Sequence, residues 1–289
     1  RSPSRGLGDV YKRQLLICAI LVFSIIPFGK NIKASQTNNN AKQLNTPEQM
    51  AAVMREKANN NIARMKGKIT QSQVNATIKQ KLIVKTKDEI ENTYGANSVY
   101  YYTVGNYQIL FYDTAEEAKN ACEKLKKDLP GTTIFQDIPI TLKEAAKDNG
   151  SDEVAAYDGI KKMGMDQLKE EKDSWKNKSA KVAVIDSGIN VDHQWFKNRL
   201  DRENSINLAL DEGNEDDKTK PAYNDTKQGH GSHVAGIITQ ATPEEVQVMA
   251  IRVFSALGTA SYATITNAVD YAVEHKADVI NMLSLIHIS

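Results

Sequence analysis

His230 and His233 stand three residues apart in the stretch GHGSHVAGII, Gly229 to Ile238, and the first lies between two glycines. Histidine is the side chain whose ordinary pKa suits proton transfer near neutral pH. Three chemistries are open to the pair: metal ligation, packing, or one general base with a neighbour. Zinc helices space their histidines i,i+4 with a glutamate between them. Here the spacing is i,i+3 with Gly231 and Ser232 between, and further ligands would still be needed. The other candidate group is Asp186, which closes the apolar run KVAVID, Lys181 to Asp186. A carboxylate ending a buried strand is costly unless something nearby needs its charge. An imidazole at a helix start has its cationic form disfavoured by the helix dipole. A nearby carboxylate offsets that and orients the ring, which is the logic of a Ser-His-Asp triad. His193, in NVDHQWF, reads as structural, and His275 as a dipole partner in the last turn of a helix.

The elements that must place these groups alternate. KVAVID reads as a strand buried on both faces of a parallel sheet. SHVAGIITQ reads as a helix, with Ala235 and Gly236 letting it press on that sheet, and VQVMAIRVF as a second buried strand. SYATITNAVDYAVEHK carries Ile265, Ala268, Val269, Ala272 and Val273 on one helical face. ADVINM begins a third strand. The expected class is α/β with a parallel sheet, where ligands bind beyond the carboxyl ends of the strands.

Residues 80–145 read as a separate domain. KLIVKT reads as a strand and TTIFQDIPI as the last strand, DEIENTYG as a short helix, and SVYYYTV with YQILFY as a hairpin turning at Gly105-Asn106. TAEEAKNACEKLKKD is a helix with a Thr114–Glu117 capping box. Its face Ala118, Ala121, Cys122 and Leu125 makes Cys122 a core residue rather than a reactive thiol. The order β-α-β-β-α-β predicts a ferredoxin-like α+β plait without catalytic groups. Residues 35–79 read as a linker and one surface helix starting at Thr46-Pro47.

The apolar run at 15–28 fits a secretory leader, giving a signal segment at 15–34; it is too short to span a membrane comfortably. Residues 1–14 and 283–289 resemble translated adapter sequence and are set apart from the fold. Lys and Arg total 37 against 36 Asp and Glu, so nothing global attracts nucleic acid or an acidic membrane. Two cysteines in unrelated segments exclude a disulfide scaffold and a cysteine zinc site.

AVIDSGI and GHGSHVAGII, in that order, resemble the aspartate and histidine motifs of subtilisin-like serine proteases. ADVINM is similar to the family's next strand, and GTASYA, Gly258 to Ala263, to its substrate-binding loop. The resemblance implies a serine endopeptidase precursor acting on peptides or proteins, with no cofactor. Asp186 would orient the base, His230 would be the base, Gly258 and Tyr262 would bind substrate, and His233 would stand outside the triad. Residues 150–282 would be the N-terminal part of a partial subtilisin-like catalytic domain, and 80–145 a propeptide that chaperones and inhibits it. The implied location is secreted or in a bacterial cell envelope, with no stable membrane anchor and no nucleic-acid partner.

The pattern also departs from the family. The nucleophile lies in a Gly-Thr-Ser motif there, and no Gly-Thr-Ser occurs in these 289 residues. The oxyanion asparagine has no counterpart either, and Leu283 interrupts the expected Asn-Met-Ser-Leu-Gly. The expectation is a fragment that stops before its serine and is inactive as it stands. The alternative is an inhibitory or binding pseudoenzyme. TQATPEEV is too short for the family's calcium loop. The acidic stretch Asp211 to Asp217 reads as a solvated loop; calcium through its carboxylates is the lesser alternative, and no calcium site is identifiable.

Overall fold

The computed structural model describes residues 41–63, 70–88, 90–102, 105–142, 161, 164, 179–213, 217, 219–227 and 229–283. The expectations for 1–14 and 15–34, and that for 283–289 except at Leu283, fall outside these residues.

A four-stranded parallel sheet holds the candidate site. Its order is β11 (Val279–Asn281), β7 (Ala180–Asp186), β9 (Val246–Arg252), β8 (Ile206–Asn207). The apolar run of β7 splits by the two-residue period of a strand. Val182 and Val184 pack on one face with Val248, Ala250 and helix residues Val234 and Ala235. Ala183 and Ile185 pack on the other with Met249, Ile251, Ala268 and Ala272. Both faces are therefore covered, as expected for a parallel sheet.

A second sheet has the order β1 (Lys42–Leu44), β3 (Ser98–Tyr102), β4 (Tyr107–Phe111), β2 (Lys81–Lys85), β5 (Thr133–Gln136). β1 runs parallel to β3, and the other pairs are antiparallel. The β3–β4 turn forms where expected, with Gly105 at φ 92° and Asn106 at φ 58°. Leu82, Val84, Leu110 and Tyr112 pack on one face against the helix Ala115–Asp128, whose Thr114–Glu117 capping box is present. Cys122 is buried there, as its helical spacing required. The opposite face, with Ile83, Tyr100, Ile109 and Phe111, packs against Met50, Met54, Val74 and Ile78. These four side chains lie on the helices α1 (Pro47–Ala63) and α2 (Gln71–Ile78); the helix capped by Thr114 is α3.

Several expectations give way here. DEIENTYG does not form a helix: its described residues are turns and coil. Tertiary bonds take its backbone groups instead, with Gln108 Nε2 donating to Asp88 O at 2.6 Å and Tyr112 Oη to Thr93 O at 2.8 Å. The helix at Pro47 is not a surface helix, since Met50, Ala51, Met54 and Ala58 are buried. α2 was not foreseen. TTIFQDIPI is two strands, not one. It breaks at Asp137, and β6 (Pro139–Thr141) leaves the second sheet to pair antiparallel with β10 (Thr259–Ser261). The described residues group as one compact unit and do not mark off a separate ferredoxin-like domain.

Among the described residues the α/β part has two more helices, α4 (His230–Ala241) and α5 (Tyr262–Glu274). α5 starts with Ser261 as N-cap, its hydroxyl accepting from Thr264 N at 3.1 Å. Of the expected sheet-facing pair, Ala235 does meet the sheet. Gly236 instead faces the Trp195 ring, which a Cβ there would approach to 3.2 Å.

Candidate active site

Asp186 is the last residue of β7, and His230 is the first of α4. The preceding Gly229 takes φ 67°, a left-handed turn that glycine adopts without strain. Gly231 lets the helix start touch the strand end: a Cβ there would lie 2.1 Å from Gly188 O and 3.2 Å from Asp186 Cβ. The absence of that Cβ leaves room for the Asp186 and His230 side chains to meet.

His230 Nδ1 lies 2.9 Å from Asp186 Oδ1 and 3.0 Å from Oδ2. Asp186 is 1% exposed and the His230 side chain 21%, so the carboxylate is sheltered while the ring reaches the surface. Asp186 Oδ1 also accepts from Ser187 N at 2.7 Å. The hydrogen bond to Asp186 raises the His230 pKa above its ordinary value; burial opposes this, and the charges of Asp186 and Asp225 support it. With Nδ1 turned to the carboxylate, Nε2 is the nitrogen placed to exchange a proton with a reacting group.

Sequence reasoning missed Asp225. Its carboxylate accepts from Ser187 Oγ at 2.6 Å, from Ser232 N at 2.7 Å and from Ser232 Oγ. Burial pushes its pKa up, while its bonds to Ser187 and Ser232 oppose that. Nothing in the linear sequence marks an aspartate five residues before the histidine as its support.

Three other histidines lie among the described residues. His193 caps a 3-10 turn, accepting from Trp195 N at 3.3 Å, as its structural reading required. His233 lines a cleft of about 470 Å³ with His193, Trp195, Asp225 and Ile237. His275 ends α5, its Nδ1 2.9 Å from Tyr271 O and its ring stacked on Tyr271. Among the described residues no group of three or more His, Cys, Asp or Glu could hold a metal ion. Asp211 has a packing role that the solvated-loop reading missed. It pairs with buried Arg252 at 2.9 Å and accepts from Ala256 N at 2.6 Å.

Gly258 and Tyr262 flank β10. Gly258 has φ 68°, and its carbonyl accepts from Leu142 N at 2.8 Å. Tyr262 N donates to Ile138 O at 3.1 Å, and its half-buried ring meets Phe135 edge-on at 5.6 Å. This strand edge is thus covered by the chain's own segment 138–142. Ile140 and Leu142 on that segment are buried beside Ala260, Phe254 and Ile185.

Residues 177–284 match the Subtilase family. The matched segment includes β7, α4, β9, β10, α5 and β11, hence Asp186, His230, Gly258 and Tyr262. The chain is 34% identical over 116 residues to the "Major intracellular serine protease" of Bacillus subtilis (strain 168), covering 37% of this chain and 34% of that protein. It is 30% identical over 115 residues to the "Intracellular serine protease" of Paenibacillus polymyxa, covering 37% and 33%. It is 32% identical over 110 residues to "Subtilase-type proteinase psp3" of Schizosaccharomyces pombe, covering 37% and 22%. The chain thus spans 34% or less of the length of these relatives. They include bacterial and eukaryotic proteins. No Gly-Thr-Ser nucleophile motif is identifiable in the sequence. Among the described residues no helix is long and apolar enough to cross a membrane.

Proposed function

We propose that this chain is the N-terminal part of a serine endopeptidase precursor in which Asp186 and His230 are two of three triad members. The observation that carries the reading is the 2.9 Å contact between His230 Nδ1 and Asp186 Oδ1, formed within the subtilase segment. In this reading His230 Nε2 takes the proton of a serine hydroxyl supplied by sequence beyond this chain. The serine oxygen attacks the peptide carbonyl, and the imidazolium returns the proton to the leaving amine. Asp186 holds the ring with Nε2 free and stabilises the imidazolium. By itself the chain forms no acyl-enzyme and is inactive.

Residues 80–145 are the propeptide in this account, and segment 138–142 inhibits by covering the β10 edge where substrate would add as a strand. Gly258 and Tyr262 are then substrate-binding residues. The pairing of β6 with β10 and the burial of Ile140 and Leu142 support this. Secretion is proposed from the apolar run at 15–28. The two bacterial relatives with "intracellular" in their names weigh against it.

The test is peptide hydrolysis by the gene product read through past residue 283, with its N-terminal segment removed or supplied in trans. Activity lost on replacing His230 or Asp186 supports the reading. A folded product without activity supports the inhibitory or binding alternative.

A further inference from the structure

The proposed chemistry makes no use of Asp225, yet this carboxylate is bonded to both supports of the Asp186–His230 pair. Ser187, the residue after Asp186, gives its hydroxyl proton to Asp225 Oδ1 at 2.6 Å. A serine hydroxyl has one proton and two lone pairs, so this donation leaves the oxygen free to accept. It accepts from Gly231 N, the residue after His230, at 2.9 Å. Asp225 Oδ2 accepts from Ser232 N at 2.7 Å and from the Ser232 hydroxyl. The Ser232 oxygen then accepts from Asn190 N at 2.8 Å, back on the chain that follows β7. Two serines therefore cross-link strand end and helix start, and one carboxylate sets the direction of both hydroxyls.

The arrangement also explains the start of α4. Its N-cap, Gly229, has no side chain to accept from the first-turn amides. Asp225 supplies that acceptor from outside the helix and places a negative charge at the positive helix end.

We propose that Asp225 is a positioning residue for the Asp186–His230 pair, acting through Ser187 and Ser232 to hold the helix start that carries His230 against the strand end that carries Asp186. This rests on the reading of those two as the working pair. Its test uses the imidazole itself, not turnover, so loss of the peptidase reading and loss of this one are separate results.

The charges acting on His230 are those of Asp186 on β7 and Asp225 on the loop before α4. Lys227 is on that same loop, and His233 follows one turn later on α4. His193, at the 3-10 turn, lines the cleft that Asp225 and His233 share.

The experiment is NMR on the intact chain with labelled histidine, following the His230 Nδ1–H resonance and the ring titration. Ser187→Ala keeps the charge of Asp225 but cuts the link to Gly231. It should speed solvent exchange of Nδ1–H by roughly tenfold, the scale of one lost net hydrogen bond. Ser187→Thr keeps a hydroxyl and should restore the slow exchange. Asp225→Asn should raise the acid dissociation constant of the imidazolium by roughly threefold or more, since a neighbouring negative charge is removed. The proposal is overturned if Ser187→Ala, folded by circular dichroism, exchanges within about twofold of the parent. It is also overturned if Asp225→Asn shifts the titration while Ser187→Ala leaves exchange unchanged, because Asp225 would then act by charge alone. If Asp225→Asn does not fold, the Ser187 pair of variants decides the matter.

Discussion

Lys81 Nζ stands 3.2 Å from Asp137 Oδ2, with the two side chains 2% and 0% exposed. The contact is a buried ion pair. Asp137 Oδ1 accepts from Ile138 N at 2.9 Å and from Ala263 N, in the first turn of α5, at 3.1 Å. One carboxylate therefore joins β2 of the N-terminal sheet to the start of α5. Burial pushes its pKa up and that of Lys81 down, and each charge partly offsets the shift of the other.

Removing one partner of such a pair leaves the other charge buried and alone. Lys81→Met should therefore cost about 3–5 kcal/mol of stability. Lys81→Met with Asp137→Asn should recover part of it, since Asn still offers Ala263 N an acceptor. Urea unfolding midpoints of the two variants check this; equal midpoints would refute it.

Ile140 is buried where β6 lies on β10. Ile140→Glu should strip β6 from that edge, because a carboxylate cannot stay unpaired in an apolar site. Hydrogen exchange should then show loss of protection at Tyr262 N, which donates to Ile138 O, with β7 and β9 amides unchanged. Unchanged exchange at Tyr262 would show that the edge is held by something else.

Gly229 and Gly231 should respond differently to alanine. At Gly229 a Cβ meets nothing within 4 Å, and only the left-handed φ of 67° is penalised, at about 1–2 kcal/mol. At Gly231 it would meet Gly188 O at 2.1 Å, a backbone atom that cannot turn aside. Gly231→Ala should be the far more destabilising of the two in thermal unfolding, and it should break the Asp186–His230 contact.

The strands and helices around the site were legible because their patterns are local. Continuous apolar runs at β7 and β9 require burial on both faces, and the face Ile265, Ala268 and Ala272 marks α5. The positions of Asp186 and His230, as a candidate pair, were legible because each ends or begins such an element. What was not legible depends on partners far along the chain. Asp88 and Thr93 give their carbonyls to Gln108 and Tyr112, and that competes with the short helix their sequence suggested. Asp137 breaks a strand because Lys81 and Ala263 hold it. Asp225 looks like any loop aspartate until the fold sets Ser187 beside it.

The His230 pair also predicts a pH dependence of stability. Its folded pKa is raised above the ordinary 6.5, chiefly by the hydrogen bond to Asp186. The charged pair thus adds stability in full below the unfolded pKa, and this is lost as pH rises through the higher folded value. The difference in unfolding midpoint between the parent and His230→Gln should be largest at about pH 5–6 and shrink by about pH 9. A difference that grows with pH would contradict the sign.

Turnover decides whether His230 with Asp186 is the proton-transfer pair of a serine endopeptidase, as proposed. The measurement is peptide hydrolysis by the read-through gene product, matured in trans, as parent and as His230→Ala, Asp186→Ala and His233→Ala. On the scale seen for subtilisin, His230→Ala should lose on the order of 10⁶ in turnover and Asp186→Ala roughly 10⁴. His233→Ala should stay within about tenfold of the parent, a residue outside the triad having no proton to move. If folded His230→Ala retained the parent rate while His233→Ala abolished it, the assignment would be wrong.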